Sequence, residues 1–149
     1  MSVQYICSRC KIERTKYDFH RLTRSPDTVR DGRQYRCKEC VKEVNLMPET
    51  REKTRADNRR YFNKLKHEIF THYSKGLLKC NCCDESEYSF LTLDHINNDG
   101  AAHRKEVGSG DHIWRDLRKN NYPEGYQILC FNCNLGKAKN EGVCPHMES

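Results

Sequence analysis

The chain has 149 residues, 36% hydrophobic and 32% charged, with a formal net charge of +6 and ten cysteines. So polar a chain cannot bury one large core, and modules of under about 70 residues usually need metals or disulfides to stay folded. No apolar run approaches the roughly 18 residues of a membrane span, and the opening MSVQYICSRC lacks the apolar segment of a secretory signal.

A cytoplasmic location follows as the expectation, and there paired C-x-x-C spacings point to zinc rather than disulfides. The charge is uneven. Residues 1–75 hold 19 Lys and Arg against 10 Asp and Glu, a net +9, while residues 76–149 hold 8 against 11, a net −3. A basic front half suits a polyanion, and an acidic back half suits cation-dependent chemistry.

Residues 1–44 contain Cys7-x-x-Cys10 and Cys37-x-x-Cys40 around a polar, turn-rich stretch, SPDTVRDGRQ. Four thiolates in a tetrahedron would supply the stability that this segment's few apolar residues cannot. The spacing predicts a zinc knuckle or ribbon.

Residues 45–76 read as a basic linker helix. Pro48 suits a first helical position, Glu49 and Glu52 complement the helix N-terminus, and Gly76 suits a C-cap. Tyr61, Leu65, Ile69 and Tyr73 recur every four residues as one apolar stripe, with Phe62 and Phe70 beside it. The other faces carry Arg55, Arg59, Arg60 and Lys64, which could lie along phosphates; a solvated linker helix is the competing reading.

Residues 77–149 open on Cys80-x-x-Cys83. A strand-like run from Phe90 to Leu93 ends at Asp94-His95, and a polar loop, INNDGAAHRKEVGSGD, follows. A helical turn or two precede Pro123. A second strand, Tyr126–Leu129, leads into Cys130-x-x-Cys133, and a short helix starts near Asn132. If Cys80, Cys83, Cys130 and Cys133 close around one zinc, the ends carrying Asp94, His95 and Asn134 are drawn together. That zinc would be saturated by sulfur and would act as a scaffold. Asp94 and Asn134 offer the hard oxygens that magnesium takes, and His95 can accept a proton from water at neutral pH. This is the equipment of phosphodiester hydrolysis.

LTLDHINNDG followed by ILCFNCNLGK resembles the ββα-metal nucleases, the HNH group, and within it the phage recombination endonuclease VII family. The resemblance covers about residues 77–140. It implies a phage- or mobile-element-encoded endonuclease of α+β fold, acting on DNA in the host cytoplasm: a zinc-stabilised nuclease module at 77–149, preceded by a zinc-ribbon-like module and a basic helix. Cys80, Cys83, Cys130 and Cys133 match zinc ligands, Asp94 and Asn134 match ligands of a catalytic magnesium or manganese ion, and His95 matches the general base.

Some positions depart from the pattern. Many HNH proteins carry an asparagine five residues before the second cysteine pair, where this chain has Gly125, so His95 must be held another way. The longer stretch HRKEVGSGDHIW could contact DNA. His103, Arg104 and Lys105 could grip the scissile phosphate or form a solvated charge cluster, and Lys137 and Lys139 could touch phosphate or lie exposed. Cys83 is preferred over Cys82 as the ligand, and Cys144 and His146 read as a free thiol and a tail histidine. A homodimer is compatible with the sequence. The rival reading is a zinc-ribbon module that binds nucleic acid or protein without cutting.

Overall fold

The structure, a computed structural model, describes residues 4–22 and 31–147. The turn-rich expectation at 25–34 therefore lies outside the described residues as far as position 30. Among the described residues the chain is α+β, with five α-helices and two small antiparallel sheets. It divides into two units, 1–58 and 59–149. No described helix is long and apolar enough to cross a membrane.

The first unit is built on its cysteines. The backbone around Cys7 and Cys10 curls into a knuckle: Cys7 N–H donates to the Ile12 carbonyl at 3.0 Å, and Lys11 N–H donates to the Cys7 carbonyl at 2.9 Å. Lys11 takes the left-handed conformation, φ 60°, that turns the chain back. Strand β1 (Phe19–Arg21) then pairs antiparallel with β2 (Arg33–Cys37), and helix α1 (Lys38–Leu46) begins directly at the second cysteine pair. The buried core is Tyr5, Cys7, Phe19, Cys37 and Cys40. Among the described residues, two aromatic rings and three thiols are little apolar area for a unit of this size, the situation in which a bound metal adds most to stability.

Met47 ends α1 with an extended ψ of 134°. The cause is Pro48, whose ring excludes the helical region for the residue before it. Helix α2 (Pro48–Tyr73) starts there, and the division between the units falls within it. This differs from the expected linker. Leu65, Ile69 and Phe70 are fully buried in the core of the second unit, so the second half of α2 is part of that unit's fold.

In the second unit the knuckle recurs. Cys80 N–H donates to the Glu85 carbonyl at 2.8 Å, and Asp84, the residue after Cys83, has φ 62°. Strand β3 (Leu91–His95) pairs in register with β4 (Tyr126–Cys130), from Leu91 opposite Cys130 to His95 opposite Tyr126. Helix α5 (Phe131–Lys139) follows with Cys130 as its N-cap.

Between the strands lie α3 (Gly100–Val107) and α4 (Asp111–Lys119). The loop expected over 96–111 is thus corrected: its middle is helical. Ala101, Ala102, Arg104, Lys105 and Glu106 are strong helix formers, and Gly108 closes the helix at φ 96°. Ile113 and Leu117 of α4 join Leu91, Ile128 and Leu129 in the core.

The same plan of knuckle, hairpin and cysteine-capped helix is therefore built twice. Phe19 opposite Cys37 in the first unit holds the place of Leu91 opposite Cys130 in the second, and both are buried. Where Asn134 follows Cys133, Val41 follows Cys40.

Candidate active site

Each unit gathers four thiols. The Sγ atoms of Cys7, Cys10, Cys37 and Cys40 lie within 4.8 Å of one another, as do those of Cys80, Cys83, Cys130 and Cys133. Tetrahedral zinc with Zn–S bonds of about 2.3 Å sets sulfurs about 3.8 Å apart. Cys83 and Cys130 are 3.7 Å apart, the spacing of two thiolates on one zinc, and the other sulfurs lie close enough to join them. Backbone N–H groups point at the sulfurs: Cys37 N–H at Cys7 (3.3 Å), Cys82 N–H at Cys80 (3.4 Å) and Cys133 N–H at Cys130 (3.4 Å). Burial opposes ionisation of Cys7, but the N–H groups of Cys37, Cys10 and Arg9 outweigh it and hold the thiol down at about 5, whereas burial and the neighbouring thiols push Cys40 up to about 12, so the four ionise together only around a cation. Thiolates are the form a metal takes. Both groups could hold a structural zinc, and Cys83 rather than Cys82 completes the second.

The second group anchors α5 across the hairpin, and strand and helix periodicities then meet. Side chains two apart on β3 share a face, as do side chains three apart on α5. Thr92 and Asp94 accordingly meet Asn134 and Lys137. Asn134 Nδ2 donates to Thr92 Oγ1 at 2.8 Å, and Thr92 in turn donates to the Leu129 carbonyl at 3.1 Å. This chain fixes the amide's orientation and leaves the Asn134 carbonyl oxygen for another partner.

Asp94 is 7% exposed, so its charge needs partners. Gln127 Nε2 donates to its Oδ2 at 2.8 Å and Lys137 Nζ does so at 2.7 Å. Among the described residues no group donates to Oδ1. Lys137 corrects an expectation. Proposed from sequence as a phosphate contact, it is 5% exposed and spends its ammonium on Asp94 and on the carbonyls of His95 (2.7 Å) and Ile96 (3.1 Å).

His95 lies on the other face of β3 and packs edge-on against Tyr126, ring centroids 4.8 Å apart. Its Nε2 is 2.9 Å from His103 Nδ1, and His103 Nε2 is 3.3 Å from Asp116 Oδ2. With the carboxylate as terminal acceptor, His103 carries its proton on Nε2 and accepts at Nδ1, where the His95 ring (2.9 Å) is nearer than the Tyr126 hydroxyl (3.3 Å); donation along that shorter contact puts the His95 proton on Nε2. His95 Nδ1 is left as a lone-pair acceptor. It faces Gly100, where a β-carbon would stand 2.9 Å from it. Burial pushes His95 below its ordinary value. Gly125 contributes its carbonyl to Ile96 N–H at 2.9 Å, and the ring is held by His103.

Asp94, His95 and Asn134 line one cavity of about 450 Å³, with Asn98, Gly100 and Arg104 on its other walls. A second cavity of about 330 Å³, lined by Trp114 and Phe131, also touches His95 and Arg104. Arg104 is exposed beside the site, whereas Lys105 is exposed on α3 and lines neither cavity. Arg55, Arg59, Arg60 and Lys64 are exposed on α2.

Sequence reasoning singled out Asp94, His95, Asn134 and Arg104. It missed the roles of Asp116 and Gln127, and read His103 as a phosphate contact or part of a solvated charge cluster rather than as the partner of His95. The available signal was helical spacing in GAAHRKEV, which puts His103 one turn into α3. No family model, curated protein or solved structure matches the chain.

Proposed function

We propose that the second unit is a metal-dependent phosphodiesterase acting on DNA, an endonuclease of the HNH type that nicks the duplex or cuts both strands. One observation carries the reading: a carboxylate, an amide oxygen and an oriented imidazole line a single cavity beside an arginine. The resemblance of LTLDHINNDG and ILCFNCNLGK to that group supports it.

His95 Nδ1 takes the proton of the attacking water, because its lone pair is kept on that nitrogen by His103. As the ring gains charge, Asp116 stabilises it through His103. Arg104 pairs with the scissile phosphate, which its guanidinium suits better than an ammonium would. Asp94 Oδ1 and Asn134 Oδ1 are the oxygens that would hold magnesium or manganese, which when bound polarises the phosphate and stabilises the departing oxygen. Two hard oxygens fit such an ion. Lys137 already offsets the charge of Asp94, so the site binds the ion firmly only together with phosphate oxygens.

The first unit and α2 supply affinity. The first unit repeats the zinc-built plan but has Val41 in place of the asparagine, so it lacks that oxygen donor. Its role is to bind, together with the exposed Arg55, Arg59, Arg60 and Lys64. An affinity built on phosphate neutralisation falls steeply with salt.

The test is supercoiled plasmid incubated with the purified chain and magnesium, beside EDTA and His95→Ala. Nicked or linear product appears with wild type and is absent from both controls. If wild type and His95→Ala both bind the plasmid and leave it intact, the chain is a non-cutting zinc-ribbon binder and the hydrolytic reading fails.

A further inference from the structure

Cys82, Cys144 and His146 stand apart in the sequence, and neither four-thiol site uses them. In the fold they converge. Cys82 Sγ lies 3.3 Å from Cys144 Sγ, and His146 Nδ1 lies 3.4 Å from Cys133 Sγ. The donor atoms of Cys82, Cys133, Cys144 and His146 all lie within 4.8 Å of one another. Cys133 is thus common to two tetrads, and it is 1% exposed.

The tail is folded to reach this point. After α5 the chain reverses through Glu141 and Gly142, both at positive φ (49° and 94°). Gly142 N–H donates to the Lys137 carbonyl at 2.9 Å, and Val143 N–H to the Asn140 carbonyl at 2.9 Å. Pro145 then packs against α5 at Gly136, where a β-carbon would stand only 3.1 Å from the proline ring. A glycine within a helix costs up to about 1 kcal/mol relative to alanine. Here it admits the returning tail, and Cys144 ends up 3% exposed. Packing alone accounts for one buried thiol. It gives no reason for a second thiol and a largely solvent-facing imidazole to share a point with it.

We propose that Cys82, Cys133, Cys144 and His146 hold a second zinc-class ion in this unit, with the Cys133 thiolate bridging it to the ion held by Cys80, Cys83 and Cys130. Three sulfurs and one imidazole nitrogen are a closed four-coordinate set suited to zinc, so this ion is structural. It ties the tail to the knuckle at Cys80–Cys83. The turn so anchored contains Glu141 and Gly142, which form one wall of the cavity that holds Asp94, His95 and Asn134. The second ion therefore braces the part of that cavity's wall which the tail supplies.

The experiment counts ions on the full-length chain saturated with zinc under reducing conditions, by native mass spectrometry. Wild type carries one ion more than the double variant Cys82→Ser, Cys144→Ser; equal counts overturn the proposal. His146→Ala changes an exposed side chain and leaves the core intact. In that variant one ion is released at a lower chelator concentration than in wild type, and identical release curves also overturn it. Neither readout depends on cleavage, so this proposal and the hydrolytic reading stand or fall separately.

Discussion

His95 Nε2 and His103 Nδ1 lie 2.9 Å apart, and in the proposed hydrolysis this contact sets which nitrogen of His95 meets the water. Removing it with His103→Ala leaves His95 in the cavity but frees its ring to rotate and to exchange tautomers. Orientation of a general base is worth a large share of the base's own contribution of about 10²- to 10⁴-fold. The expected outcome is a fall in kcat of about 10²-fold with little change in KM, measured as single-turnover plasmid nicking. Asp116→Asn, one ring further out, gives a smaller fall in the same direction. Variants with unaltered kcat would show that the two-histidine chain serves packing alone.

The pH dependence follows from burial. His95 is desolvated, which disfavours its charged form and moves it below the ordinary histidine value. The ring is therefore neutral, and competent as a base, throughout the neutral range. Cleavage holds through the neutral range and is lost only on acidification beyond the ordinary histidine value, tenfold per pH unit once the ring is mostly protonated. The check is the logarithm of kcat/KM against pH at fixed ionic strength. A line that stays flat down to the pH at which the chain begins to unfold, read from circular dichroism on the same samples, removes His95 from the role of base.

Much of this site is legible from residue order. Cysteine pairs announce themselves because metal geometry restricts their spacing, and once four thiols are joined the neighbours Asp94, His95 and Asn134 come with them. What stays hidden depends on register. Lys137 looks like any cation on a basic helix, and only the match of β3 to α5 shows that its ammonium is enclosed by Asp94 and two carbonyls. His103 and Asp116 lie eight and 21 residues beyond His95 and converge only because α3 and α4 form in a stretch whose glycines and charges read as loop. The buried half of α2 was marked by Leu65 and Ile69, yet its basic composition masked a core role. Cys82 and Cys144 become partners through a tail reversal for which Gly136 and Gly142 leave room.

Gly100 allows stability and activity to be separated. It is the first residue of α3 and does not have a positive φ, so the helix itself accepts alanine there. The added methyl would meet His95 Nδ1 at 2.9 Å and Arg104 Nη1 at 3.2 Å, which pushes the ring aside and fills the space a water needs. Gly100→Ala is expected to fold with an unchanged circular dichroism spectrum and a modestly lowered melting temperature, because the ring it displaces is buried. Its cleavage rate drops by about 10-fold or more, the size of effect that a misplaced base produces. Full activity in this variant would mean that water approaches His95 from another direction.

Lys137 and Asp94 form an ion pair at 2.7 Å with side chains 6% and 8% exposed. Removing one member of a buried pair strands the other, at a cost of about 3–5 kcal/mol. Lys137→Met keeps most of the side-chain volume and leaves Asp94 as an uncompensated buried carboxylate, so the second unit melts at a clearly lower temperature. The same change removes the cation that competes with a divalent ion for Asp94. Added manganese should therefore raise the melting temperature of Lys137→Met by more than it raises that of wild type, whereas in the double variant Lys137→Met, Asp94→Asn the extra gain disappears. Thermal unfolding with and without manganese, at constant ionic strength and with the structural zinc sites saturated, makes the comparison. An equal response in wild type and Lys137→Met would show that Asp94 does not take the ion, and that its buried charge serves only to seat α5 on the hairpin.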